Sequence, residues 1–149
     1  MTIHLATTPA WGPRFSAHKN GVDQAAIATN VWTLLTWSTE IYDSHNAFAA
    51  NRFTPGIIGK YSLTAAGLWG ASVDQSETGI AIYKNGVSYK TVTIISSGTG
   101  NQGPLIQVDA DVTAAADYFE VFARQITGAN QTINGNAAAS YFMGHYIGS

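Results

Sequence analysis

The chain has 149 residues, 46% of them hydrophobic and none of them cysteine. This is the length of one domain with enough apolar material for a core, and it excludes disulfides, thiolate metal sites and cysteine catalysis. Only 11% of residues are charged and the net charge is −2, against about 25% charged residues in an ordinary domain, which excludes a basic nucleic-acid footprint and a polybasic membrane patch. A surface so poor in charge is either polar and uncharged or buried against other subunits, and composition leaves both open. No apolar run approaches the ~18 residues that cross a bilayer. The start, Met1 to Ala6, has no basic stretch followed by a long apolar one, so no secretory signal is expected.

Residues 1–13 read as an arm, broken by Pro9, Gly12 and Pro13, with Ile3, Leu5 and Trp11 as its apolar side chains. A domain then runs over 14–149. Arg14 to His18 opens it as a short strand. Ala25 to Trp37 is apolar on both parities and rich in β-branched residues, which predicts a strand covered on both faces, with Trp32 and Trp37 in the core. Tyr42 to Asn51 reads as a loop, and Phe53 to Gly56 as a short strand with a turn. Lys60 to Leu68 alternates, with Tyr61, Leu63 and Ala65 on one face. Ile80 to Lys90 carries Asn85-Gly86 between two alternating runs, the signature of a hairpin closed by a type I′ turn. Ser96 to Gly103 is a Gly-rich loop, Leu105 to Val108 a strand, and Thr127 to Asn136 a polar loop between strands at Tyr118 to Ile126 and Ser140 to Ile147. Val112, Ala115, Phe119, Phe122 and Ile126 also fall at helical spacing. The strand reading is preferred over the helical one because the other segments need sheet partners. Turns every 8–12 residues predict an all-β sandwich or barrel.

Catalytic and metal chemistry is sparse. Gly98-Thr-Gly-Asn-Gln-Gly103 fits a dinucleotide fingerprint in letters only, since Pro104 and a β-type run follow where a helix must start to receive phosphate. Asp109 and Asp111 offer two carboxylates, too few oxygens for calcium on their own, and Asp43 with Asn46 is no better. His4, His18, His45 and His145 lack metal-ligand spacing. No nucleophile elbow and no paired acid is present. Asn130-Gln-Thr132 is a formal glycosylation sequon, without a secretory signal to make use of it. The expectation is a non-enzyme with no cofactor and no metal. Trp11 and Trp69 lie at segment edges, where an aromatic side chain anchors a partner or covers the rim of its own domain.

Several fragments, in order, resemble the C1q domain of the C1q and tumour-necrosis-factor superfamily. They are Phe15-Ser-Ala17, Ile41-Tyr-Asp43, Asn51-Arg-Phe53 with Pro55-Gly56, Gly59-Lys-Tyr-Ser-Leu63, Ile80-Ala-Ile-Tyr-Lys-Asn-Gly86, Asp117-Tyr-Phe-Glu-Val121 and Tyr141-Phe-Met-Gly-His-Tyr-Ile147. The resemblance runs from Phe15 to Ile147. Ala116 stands where the family has glycine, and Leu63 where it has phenylalanine. It implies a two-sheet, ten-strand jelly roll assembled as a homotrimer, with the inner sheet facing the threefold axis. It places Phe15, Tyr61, Leu63, Ile106, Tyr141, Met143, His145 and Tyr146 at the subunit interface, and Gly144 where backbones approach closely.

The expected role is structural. A chain that begins at Met1 without a signal or a collagen-like stalk, free of cysteine and poor in charge, suits a bacteriophage particle, where C1q-like domains of this composition occur. The first expectation is a trimeric capsid decoration protein at the virion surface, gripping a shell protein through Ile3, Leu5 and Trp11. The alternative is a receptor- or glycan-binding head, of a tail fibre or another adhesion module, that reads a host surface through its loops, with Asp74, Asn101 and Asn130 as candidate contacts.

Overall fold

In the computed structural model, which describes residues 11–149, every regular element is a strand. In chain order these are β1 (Arg14–His18), β2 (Gln24–Ile27), β3 (Thr33–Leu34), β4 (Thr39–Asp43), β5 (Phe48–Ala49), β6 (Arg52–Phe53), β7 (Gly59–Ala66), β8 (Glu77–Lys84), β9 (Val87–Ile95), β10 (Leu105–Val112), β11 (Phe119–Ile126), β12 (Gln131–Ile133) and β13 (Tyr141–Gly148). Ten of them form two layers, in the orders β10-β7-β13-β1-β4 and β5-β6-β11-β8-β9. Of the remaining three, β3 pairs with β11, and β2 with β12 as a separate ribbon. The expected ten-strand, two-sheet arrangement is therefore present, with three short strands added. The segment with helical spacing is not a helix: Val112 ends β10, Ala115 lies in a turn, and Phe119 to Ile126 form β11, which pairs with β8 along its whole length.

Alternation explains the layers. In β7, Tyr61, Leu63 and Ala65 are fully buried and point into the sandwich, so Ser62 and Thr64 point out. Asn85 and Gly86 both have positive φ, 53° and 78°, and close the β8–β9 hairpin as the Asn-Gly pair requires. The interior is aromatic. Phe15 of β1 stacks on Phe48 and Phe53 of the opposite sheet, with centroids 4.8 and 4.3 Å away, and meets Phe142 of β13 edge-on at 4.8 Å. Phe53 continues the chain of contacts to Tyr61, and Tyr61 to Tyr146.

Several expectations change. Ala25 to Trp37 is not one strand: Asn30, with positive φ of 58°, lies in the break between β2 and β3, and Ala26, at 60°, distorts β2 itself. Trp32 is only half-buried, lying against Tyr83 of β8 and the Arg124 guanidinium of β11. Trp37 is partly buried against the core. Trp69 is fully buried, not at a rim. The expected loop from Tyr42 begins inside β4, and the polar loop after β11 contains β12.

Gly144 faces inward. A methyl group on it would sit 2.6 Å from Leu63 Cδ2 and 3.0 Å from Phe15 Cε1, so the glycine makes room for the core of its own chain. Gly144→Ala is expected to cost about 1–3 kcal/mol through overpacking. A thermal unfolding midpoint equal to that of the wild type would contradict this packing.

Candidate functional site

Pairing registers order the outward face of the five-stranded sheet into levels. Leu105, Ala66, Tyr141 and His18 form one level; Gln107, Thr64, Met143, Ser16 and Tyr42 the next; Asp109, Ser62, His145 and Arg14 a third. The small side chains of β7, Ser62, Thr64 and Ala66, lie between β10 and the larger Tyr141, Met143 and His145 of the central strand β13. Leu105, Tyr42 and Met143 are 49, 47 and 36% exposed. Exposed apolar side chains thus stand on this face among polar ones.

The expected interface residues divide between the two faces. Met143, His145 and Tyr141 lie on this outward face. Phe15, Tyr61 and Leu63 are fully buried, and Ile106 is 7% exposed, inside the core of the single chain. They have the opposite parity from Ser16, Ser62 and Gln107, so their side chains cannot reach a partner. Tyr146 is partly buried against Tyr61 and is covered by Gly12 and Gly59. The surface residue that sequence reasoning missed is Tyr42, read as the start of a loop because the polar run Asp43, Ser44, His45 and Asn46 follows it; it lies in β4, opposite Ser16.

The face has two ends. At one, the chain enters through Trp11, Gly12 and Pro13, and the Tyr146 amide donates to the Pro13 carbonyl at 3.0 Å. Here Trp11, Gly12, Arg14, Tyr42, His145 and Tyr146 line a cleft of about 240 Å³. Trp11 is 73% exposed; Ile3 and Leu5 lie outside the described residues. At the other end the expected ligand loops converge. The Trp69 amide donates to the Gln102 carbonyl, Gly70 to Thr132, Ser72 to Gly100 and Gln75 to Ser96. Asp74 accepts the Gly98 amide. Asp74, Asn101 and Asn130 are all exposed at this end, with buried Trp69 as the hub beneath the loops. The literal dinucleotide motif is part of this irregular cluster. Among the described residues no group of three or more His, Asp or Glu side chains is placed to hold a metal ion. No helix there is long and apolar enough to cross a membrane.

No family model and no curated protein matches the chain. Solved structures do. Murine APRIL superposes with a TM-score of 0.64 at 9% identity, covering 91% of this chain and 99% of that one. The globular domain of zebrafish complement 1qA gives 0.61 at 13%, covering 91% and 97%. Eiger TNF from S. frugiperda gives 0.62 at 10%, covering 93% and 92%.

The fold is the C1q/TNF-like jelly roll.

Two buried charges tie its loops. Lys19, 1% exposed, donates to the Gln24 side-chain oxygen at 2.9 Å and the Thr36 carbonyl at 2.8 Å, with its ammonium 5.7 Å from the Trp37 ring. Burial pushes its pKa down to about 8, against the pull of the Asp23 carboxylate. This clamp holds the exit of β1 to the segment before β4.

Asp117, 5% exposed, sits between the tip of the β8–β9 hairpin and the turn before β11. It accepts from the Asn85 amide at 2.8 Å and from the backbone N–H groups of Thr113 and Ala114 at 2.8 and 3.1 Å, and pairs with Lys84 at 3.0 Å. The Asn85 bond, aided by the others and opposed by burial, holds the carboxyl well below the usual carboxylate range. The ionised form is thus bound more tightly in the folded jelly roll than in the unfolded chain. Its contribution is complete above the unfolded pKa, about 3.9, and is lost as the pH falls below that towards the depressed folded value. Asp117→Asn is expected to cost about 2 kcal/mol at neutral pH and to flatten the acid limb of the stability curve. Urea midpoints at pH 7 and pH 3 check this; an equal loss on acidification in wild type and variant would contradict it.

Proposed function

We propose that this chain is a non-enzymatic structural module that assembles as a homotrimer around the outward face of β10-β7-β13-β1-β4. The trimer serves as a capsid decoration protein on the surface of a bacteriophage particle. The observation that carries the reading is the separation of its two ends. The chain enters beside the C-terminal strand, at an exposed Trp11, while the Gly-rich loops gather at the opposite end. An attachment segment at the base and free loops at the top suit a module fixed to a larger shell, and threefold symmetry matches a threefold position in a closed lattice. The scarcity of charge fits a protein with much of its surface against neighbours.

A second reading is favoured by the convergence of the loops 70–76, 96–104 and 127–136 over Trp69. In that reading the trimer is a head recognising a host glycan or receptor through this crown, as exposed, irregular loops on a rigid scaffold do. The two readings place the binding surface at opposite ends.

Truncation separates them. Removal of residues 1–10 together with Trp11→Ala is expected to abolish co-sedimentation with phage capsids and leave the fold intact. Substitution of Asp74, Asn101 and Asn130 with alanine is expected to leave that attachment unchanged. Full capsid occupancy by the truncated protein, or loop-dependent hits on a glycan array, would overturn the decoration role in favour of the head.

A further inference from the structure

The geometry points to a charge-matched level at which copies of this chain meet: Asp109 on β10 of one copy pairs with Arg14, beside His145, on the next. This rests on the threefold reading above and names the side chains that bring the copies into register. Asp109, Ser62, His145 and Arg14 are consecutive partners across four strands. Neighbouring strands lie about 4.8 Å apart, so Asp109 and Arg14 stand roughly 14 Å from one another within the chain. That is too far for an ion pair, and among the described residues neither takes part in one. The face therefore carries a negative charge at its β10 side and positive charge at its β1 side, on one level.

Symmetry turns this separation into a contact. A rotation keeps every residue at the same height along the axis. With the axis running along the strands, residues paired in register share a height. Threefold rotation then brings the β10 side of one copy against the β1 side of the next at the level of Asp109 and Arg14. The contact is head-to-tail and closes a ring. The receiving side is the cleft of about 240 Å³ between Trp11, Tyr42 and Tyr146, into which Arg14 and His145 also project. The Arg14 guanidinium lies 5.8 Å from the Tyr42 ring, and a planar guanidinium held against an aromatic wall presents its remaining N–H groups to a carboxylate. Asp111, also on the outward side of β10, lies opposite Lys60 in the β7–β10 register, whereas Asp109 lies opposite the uncharged Ser62, so Asp109 is the outward acid of β10 with no cation opposite it on β7.

The test is a charge swap followed by sedimentation velocity over a dilution series. Arg14→Asp and Asp109→Arg are each expected to weaken the trimer about tenfold or more, and the double variant to recover most of that loss. Both side chains are solvent-facing, so circular dichroism is expected to show the wild-type fold in all three. A wild-type trimer whose single variants associate equally well, or whose double variant does not recover, would overturn the pairing and leave the threefold reading standing. A wild-type monomer would overturn both.

Discussion

The Phe15 stack is the contact on which the rest of the molecule depends. One side chain from β1 bridges both sheets, meeting Phe48 and Phe53 across the interior and Phe142 beside it. Burying an aromatic ring of this kind is worth several kcal/mol, and truncating it costs about 3–5 kcal/mol. Its larger consequence is directional. With Phe15 and Ala17 turned inward, Arg14, Ser16 and His18 must face out. Pairing then carries that parity into β13 and β7, so that Gly144, Leu63 and Tyr61 go inward while His145, Thr64 and Ser62 go outward. The outward face is thus the complement of the core, set by the same alternation.

That coupling explains what was legible in the residues and what was not. The β8–β9 hairpin announces itself through Asn85-Gly86, and the two layers follow from alternation and turn spacing. Which parity faces the core is a tertiary matter. Tyr141-Phe-Met143 and Tyr146-Ile147 are apolar on both sides, so local pattern leaves the inward set undetermined, and Phe15, Tyr61 and Leu63 were expected at a subunit contact. The β5–β6 turn, at Ala50 and Asn51, is hidden for a different reason. Both residues have positive φ, 50° and 67°, yet alanine carries no signal for that conformation. Trp69 was hidden by position, since a residue just after a strand reads as an edge. Its burial depends on three loops from distant parts of the chain closing over it.

The same complement rule bears on function. With Phe15, Phe48, Phe53, Tyr61 and Phe142 spent inside, the outward face of β10-β7-β13-β1-β4 carries serine, threonine, alanine, two histidines and a few charges, with Leu105, Tyr42, Tyr141 and Met143 among them. Such a surface is neither a water-facing face, which carries more charge, nor a second core. It matches an interface between folded subunits, where exposed apolar side chains meet and a small number of charges sets the register. The two ends are free for other tasks: a base where the chain enters at Trp11, and a crown of loops over Trp69. The proposed division of labour, attachment at one end and exposure at the other, rests on a topology that puts the first and last strands side by side.

The most direct test of this account is the solution mass of the purified chain by light scattering, with Met143→Arg as the comparison. Met143 is central on the outward face and 36% exposed, so the variant keeps the core intact. The account predicts a wild-type species with three times the mass of the 15.8 kDa chain, stable to dilution, and a folded monomer for the variant. A wild type that remains monomeric at high concentration, or a variant that remains trimeric, would contradict the assignment of this face as the assembly surface.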